Sequence, residues 1–197
     1  VLVGTVSTLI GLVIGLLVGS LAGYLGGRAD QLLVRLIEIF QTFPPFLLVI
    51  VLIAIFQPSV ATITLSIGLV SWPAIARIVR SEFRALKNLD FVQAARAAGY
   101  GDFSIATGQI LPNAIAPIIV TSSVMVASAI LIESALSFLG LGDPNTVSWG
   151  SMIGSGRDQL RTAWYVITLP GLAIVVTVLS LNLLTDGLAR ALNPRKD

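Results

Sequence analysis

Long runs without a single charged side chain alternate along this chain with short segments that hold the ionisable residues. The uncharged runs cover 1–27, 39–76, 103–132 and 162–185, and each exceeds the ~20 apolar residues that a helix needs to cross a bilayer. The second run is long enough for two crossings. Gln57-Pro58-Ser59 near its middle predicts a tight turn between helices over 31–56 and 60–80, which makes five spans in all. Within lipid every peptide group needs an internal partner, so the Val- and Ile-rich stretches 118–120 and 174–178, strand-like by propensity, are expected to be helical. The predicted fold is an all-α polytopic bundle in a single transmembrane domain, 1–197.

Composition agrees with this solvent. With 55% hydrophobic and 11% charged residues and a mean hydropathy of +0.94, the chain lacks the polar cover of a water-soluble domain. Histidine and cysteine are absent, which removes the usual zinc, haem and iron–sulfur ligands and the usual general base, so neither a metal site nor nucleophilic-cysteine chemistry is expected. The first apolar run is too long, and lacks the basic leader, for a cleavable signal peptide. It begins at Val1 inside apolar sequence, and the natural chain is expected to extend upstream.

The placement of charge predicts orientation. Arg28 and Arg35 flank the first connection, Arg77, Arg80, Arg84, Lys87 and Arg96 crowd the third, and Arg190, Arg195 and Lys196 close the chain. Ten of the twelve Lys and Arg therefore fall on one side, which the positive-inside rule makes cytoplasmic, C-terminus included. Arg157 and Arg161 lie in the opposite loop beside Asp143 and Asp158. Val1 is then outside.

Gly11, Gly15, Gly19 and Gly23 recur every fourth residue and draw a smooth stripe for close helix packing, with a substrate path as the lesser alternative. Pro44-Pro45 and Trp72-Pro73 must kink or break their helices, which suits either a gate or a static bundle. The connection between the third and fourth spans, 82–112, is long for a loop and has helical grammar. Asp90 is expected as a cap with Gln93 completing a capping box, Ala94-Ala95-Arg96-Ala97-Ala98 as helix formers, and Gly99 as the terminating residue. A second short helix is expected from an Asp102 cap, stopping before Leu111-Pro112. A rigid knob of this kind can dock into a partner's groove.

The same loop resembles a known family. Gln93-Ala94-Ala95, Gly99 after three residues, and Gln109-Ile110-Leu111-Pro112 after nine more look like the E-A-A-x3-G-x9-I-x-L-P loop of binding-protein-dependent ABC permeases, with Gln93 in place of Glu and Gln109-Ile110 shifted from the usual Ile position. The likeness continues through Ala22-Gly23-Tyr24-Leu25-Gly26-Gly27, Ser71-Trp72-Pro73, Ala76-Arg77, Asn113-Ala114-Ile115-Ala116-Pro117, Ala135-Leu136-Ser137-Phe138-Leu139-Gly140-Leu141-Gly142, Ser148-Trp149-Gly150 and Asn193-Pro194-Arg195. This collinear set resembles the second permease subunit of the dipeptide, oligopeptide and nickel branch.

What the resemblance implies is a type I ABC importer permease with a six-span family plan, whose first span would precede Val1. Asp90, Gln93, Ala94, Ala95, Gly99, Ile110, Leu111 and Pro112 would couple it to an ATPase. Its partners would be a second homologous permease subunit, two cytoplasmic ABC ATPase subunits, an extracytoplasmic substrate-binding protein and membrane lipid, with no nucleic acid. No cofactor is expected on this chain. No G-x-x-x-x-G-K-[ST] loop occurs, so ATP and magnesium belong to the ATPase subunits and this chain is not expected to be an enzyme. The long outer loop, 140–163, is a candidate docking surface for the binding protein, or a passive cover over the bundle.

Glu133 stands alone at the end of an apolar run, and an intramembrane acid is either a pathway residue or one hydrated and hydrogen-bonded to Ser134 or Ser137 near the outer interface. Glu38 reads as a helix-start charge facing Arg35 or a loop residue near the cytoplasmic boundary, and Asp186 as the i+4 partner of Arg190. Two other classes remain in view. A secondary transporter would carry several intramembrane charges in an inverted repeat, which the sequence does not display. A channel or passive scaffold would have no use for the capped helical loop.

Overall fold

The computed structural model describes residues 1–192, with the side chain of the last of these left out; Arg195 and Lys196, and the Asn193-Pro194-Arg195 motif, lie outside the described residues. The described chain is helical, without strands. Helices α1 (Leu2–Leu25), α4 (Val60–Leu86), the continuous 37-residue helix Asp102–Phe138, and α9 (Tyr165–Leu192) are long and apolar enough to cross a membrane. The pair α2 (Gly27–Thr42) and α3 (Pro45–Phe56) supplies a fifth crossing if taken together. They meet at an angle of 81°, because neither Pro44 nor Pro45 has an N–H to carry the ladder across the junction. Pro73 behaves otherwise: α4 continues through it and on to Leu86.

The α1–α4 contact is the most extensive in the bundle. A Cβ added at Gly11 would lie 2.6 Å from Ser71 Oγ, at Gly15 2.7 Å from Ile75 Cβ, at Gly19 2.5 Å from the Ala76 carbonyl, and at Gly23 2.7 Å from the Arg80 carbonyl. From the other side Gly68 of α4 faces Ile10. Below this seam, Ile75, Val79 and Phe83 pack with Val92, Ile105, Ile110, Ala114 and Ile118. A second cluster joins α3, α4 and the Asp102–Phe138 helix through Val49, Ile53, Ile63, Ile67, Ala129 and Leu136. Phe40 of α2 meets Trp72 edge to face at 5.2 Å.

At the end opposite the basic loops, α8 (Trp149–Gly156) begins with a capping box in which Ser148 and Ser151 each satisfy the other's backbone N–H. Its glycines let it wedge against its neighbours: Gly150 abuts the Ser134 backbone, Gly154 the Phe138 carbonyl and Gly156 the side chains of Val166 and Ile167. The Asp143 carboxylate spans the same end, accepting from Asn145 N at 2.8 Å and from Val60 N, at the start of α4, at 3.0 Å. Those two backbone donors hold the carboxyl below its ordinary value. The sign follows: this tie is fully present above pH 3.8 and is lost as the pH falls through the lower folded value. Asp143→Asn is expected to speed amide exchange at Val60 and Asn145 at neutral pH, and acidification is expected to do the same to the wild type.

Two side-chain pairings differ from expectation. Glu38 sits in the second half of α2, not at a helix start, and the ion pairs among the described residues are Asp30 with Arg80 and Arg84 rather than Glu38 with Arg35. Arg190 Nε donates to the Asp186 main-chain carbonyl at 3.3 Å, not to its carboxylate, a contact that orders one side chain where an ion pair would order two.

Candidate functional site: the helical knob and its anchors

Between α4 and the next span the chain forms α5 (Asp90–Ala97) and α6 (Asp102–Ile105), linked by Ala98-Gly99-Tyr100-Gly101. The termination of α5 is a Schellman turn: Tyr100 N donates to Ala95 O, Gly99 N donates to Arg96 O, and Gly99 takes a φ of +84°. A side chain there would be strained although nothing crowds it.

The starts of both helices depart from the predicted caps. Leu89, not Asp90, is the N-cap of α5, and no side chain caps it; Val92 N and Gln93 N donate to Leu89 O instead. Gln93 is thereby one position too late for a capping box. The core decides this register, because it sends Val92 into the cluster around Phe83 with no exposed surface. Asp90 still lies in the first turn, where a negative charge suits the helix dipole. Likewise Gly101 is the N-cap of α6 and Asp102 its first residue.

Nor does Leu111-Pro112 stop the second helix. A π-turn, Ala106–Ile110, joins α6 to α7 (Leu111–Phe138), so the knob runs without a break into the membrane span. The wider turn accommodates the missing N–H of Pro112, and the Asn113 side-chain amide donates to Gln109 O across it at 2.7 Å.

The knob thus has two faces. Val92, Ile105 and Ile110 are buried and Ala95 and Leu111 are half-buried against them. Gln93, Ala94, Ala97, Ala98, Gly99 and Pro112 are exposed, as is Asp90. The outward face of α5 thus presents the methyl groups of Ala94 and Ala97, continued by Ala98, among the longer exposed side chains of Asp90, Phe91, Gln93 and Arg96, of which Arg96 reaches back to Tyr24.

Ion pairs and hydrogen bonds that sequence reasoning missed hold the knob's end of the bundle together. Arg80 makes a two-pronged contact with Asp30, its Nη2 donating to Oδ2 at 2.8 Å, and Arg84 adds a longer one. Lys87 Nζ donates to the Tyr24 carbonyl at 3.2 Å. The Tyr24 hydroxyl donates to Asp102 Oδ1 at 2.5 Å, and the Arg96 guanidinium lies 5.9 Å from the Tyr24 ring. Arg80, Arg84, Lys87 and Arg96 therefore gather at one end, around Asp30 and Tyr24. A lone acid near a span terminus beside a basic cluster was the only signal for Asp30.

Glu133 lies near the far end of α7, half-buried, where Ser137 Oγ donates to Oε1 at 2.8 Å. The neighbouring Ser134 hydroxyl is buried and has no hydrogen-bond partner among the described residues. The break before α3 and the proline inside α4 share one place: Pro45 and Pro73 line a cleft of about 220 Å³ together with Gln41, Ser71 and Ser128.

Comparison with known proteins decides the family. Residues 15–197 match the model of the binding-protein-dependent transport system inner membrane component. The chain belongs to this family. It is a multi-pass membrane protein. Relatives of known name include the di/tripeptide transport system permease protein DppC of Pseudomonas aeruginosa, 42% identical over 98% of this chain and 64% of the relative. The oligopeptide transport system permease protein OppC of Escherichia coli is 40% identical over 98% of this chain and 65% of its own length. The glutathione transport system permease protein GsiD of Pectobacterium atrosepticum is 39% identical, covering 98% and 64%. The chain thus spans somewhat under two thirds of the length of these relatives. Its fold is that of a chain from the inward-facing MetNI methionine ABC transporter, with a TM-score of 0.77 at 20% identity over 96% of this chain and 91% of that one. A chain from an amino acid ABC transporter superposes with a TM-score of 0.64 at 17% identity, covering 98% and 88%.

Proposed function

We propose that this family member is the permease subunit of an ATP-driven importer of short peptides, forming half of the translocation pathway and passing mechanical work to it from a cytoplasmic ATPase. The observation that carries this reading is the knob. Its outward face exposes the small side chains of Ala94, Ala97 and Ala98, and its inner end is continuous with a span. A partner that grips α5 and moves it would therefore tilt a membrane helix directly, since a packed helix transmits displacement better than a loop does.

Peptides are favoured over nickel because the relatives named above are peptide and glutathione permeases. Among the described residues no group of carboxylates could hold a metal. The other half of the pathway would come from a second homologous permease subunit, and the cleft at Pro45 and Pro73 is placed to change shape as the helices tilt. ATP and magnesium would act on two ATPase subunits. The end carrying Arg80, Arg84, Lys87 and Arg96 would face the cytoplasm, with the C-terminus on the same side, and the α8 end would meet the substrate-binding protein.

Proteoliposomes holding the assembled complex, supplied with ATP inside and a binding protein loaded from a labelled mixture of di- to pentapeptides outside, are expected to accumulate label only when ATP can be hydrolysed. Accumulation driven by a proton or sodium gradient without ATP would return the chain to the secondary-transporter class.

A further inference from the structure

We infer that Tyr24 is a positioning residue that fixes the angle between the knob and the α1–α4 pair, so that work done on the knob tilts the membrane helices and is not lost as swivelling of the knob. This rests on the importer reading and names the joint through which it operates.

Tyr24 occupies the last turn of α1, and three segments converge on it. Its hydroxyl reaches Asp102, the first residue of α6; its ring faces Arg96 in the last turn of α5; its carbonyl accepts from Lys87, just past α4. One side chain therefore contacts both helices of the knob, while its backbone is tied to the segment from which the knob hangs. The preceding residue, Gly23, fits between the Arg80 carbonyl and Phe83 Cβ with no room for a methyl group, so Tyr24 cannot shift along the seam without carrying α4 with it.

The geometry of the links explains why such a tether matters. Lys87, Asn88 and Leu89 connect α4 to α5 through a single turn, closed by Leu89 N donating to Leu86 O. A turn of that length leaves pivoting of α5 about its first residue to be resisted by contacts beyond it, of which Val92 in the Phe83 cluster is one. Asp102 lies on the far side of the Gly99 break, and pinning it to α1 stops that pivot. The bond also involves a charged acceptor, the stronger class of hydrogen bond. A cavity of about 440 Å³ bordered by Tyr24, Asp102, Phe83 and Phe103 lies beside the bond, so on that side no packed side chain backs it up.

The test measures, in the same proteoliposomes of the complete complex, ATP hydrolysed and labelled peptide accumulated. Tyr24→Phe keeps the ring, its packing and the Arg96 contact and removes only the hydroxyl. Peptide accumulation is expected to fall about tenfold, within the range for losing a hydrogen bond to a charged group, while hydrolysis stays within about twofold. Asp102→Ala is expected to do the same. Asp102→Asn keeps an oxygen to accept from Tyr24 and is expected to retain most of the wild-type ratio of peptide to ATP. Ser20→Ala, which lines the same cavity but bonds only within α1, is expected to be silent. Wild-type ratios in both Tyr24→Phe and Asp102→Ala would overturn the inference, and so would hydrolysis, accumulation and thermal stability falling in parallel, the mark of a merely structural contact. Wild-type vesicles that accumulate no peptide on ATP would overturn the importer reading, and this inference with it.

Discussion

Replacing Gly19 with leucine is expected to leave almost no folded protein in the membrane, and even Gly19→Ala is expected to be destabilising by about 2–3 kcal/mol. A Cβ at this position would lie 2.5 Å from the Ala76 carbonyl and 2.7 Å from Val79 Cβ. Neither neighbour is the free end of a flexible side chain, so the two helix axes would have to move apart. Gly15 and Gly23 above and below are nearly as tight, each with a nearest approach of 2.7 Å, and a separation at Gly19 would open the seam over several turns. In lipid there is no hydrophobic force to draw the helices back together, and close packing is what association rests on. Gly171→Ala and Gly187→Ala in α9 are the matched comparison, because a Cβ at either meets nothing within 4 Å among the described residues; they are expected to leave the stability unchanged or slightly raised. Thermal unfolding of the detergent-solubilised protein, followed by size exclusion, reads all of these. Equal melting of Gly19→Ala and Gly187→Ala would show that the seam tolerates separation and does not carry the bundle.

Features governed by local chemistry were legible in the sequence. The uncharged runs locate the spans because solvent leaves no alternative to helix, and the break after α2 follows from two consecutive residues without an N–H. Gly99 could be placed as a terminator because a positive φ at that point of a helix end suits few other residues. What local chemistry misplaced was register. Asp90 and Asp102 are good caps taken alone, yet each lies one residue inside its helix, because burying Val92 and Ile105 outweighs one capping hydrogen bond. The π-turn was also invisible, since a proline near a helix start normally reads as a boundary. The contacts that tie the knob to the bundle join residues far apart in sequence, Tyr24 to Asp102 and Asp30 to Arg80. No spacing rule connects such pairs, and only the α1–α4 seam brings them together.

The second large effect concerns the outward face of α5. Ala97→Trp is expected to lower ATP-driven peptide accumulation by about thirtyfold or more, the usual scale for disrupting the centre of a tight interface, with little change in melting temperature. Ala94, Ala97 and Gln93 are exposed, and exposed substitutions away from special backbone positions shift stability by no more than about 0.5 kcal/mol. The bulk of an indole has no effect on a surface facing water, but it prevents a partner from closing on a row of methyl groups. Ala95 is the wrong position for this test despite its place in the same motif. It is half-buried against the Val79–Phe83 cluster, so Ala95→Glu would drive a charge into the core and confound misfolding with loss of docking. Leu179→Trp, at an exposed site on α9 away from the knob, controls for the added surface. Copurification separates the two possible origins of a defect: the ATPase should be lost from Ala97→Trp membranes and kept by Leu179→Trp. If Ala97→Trp retained both its ATPase and its transport, the row of small side chains would be open to solvent in the working complex, and the motor would have to grip the permease elsewhere.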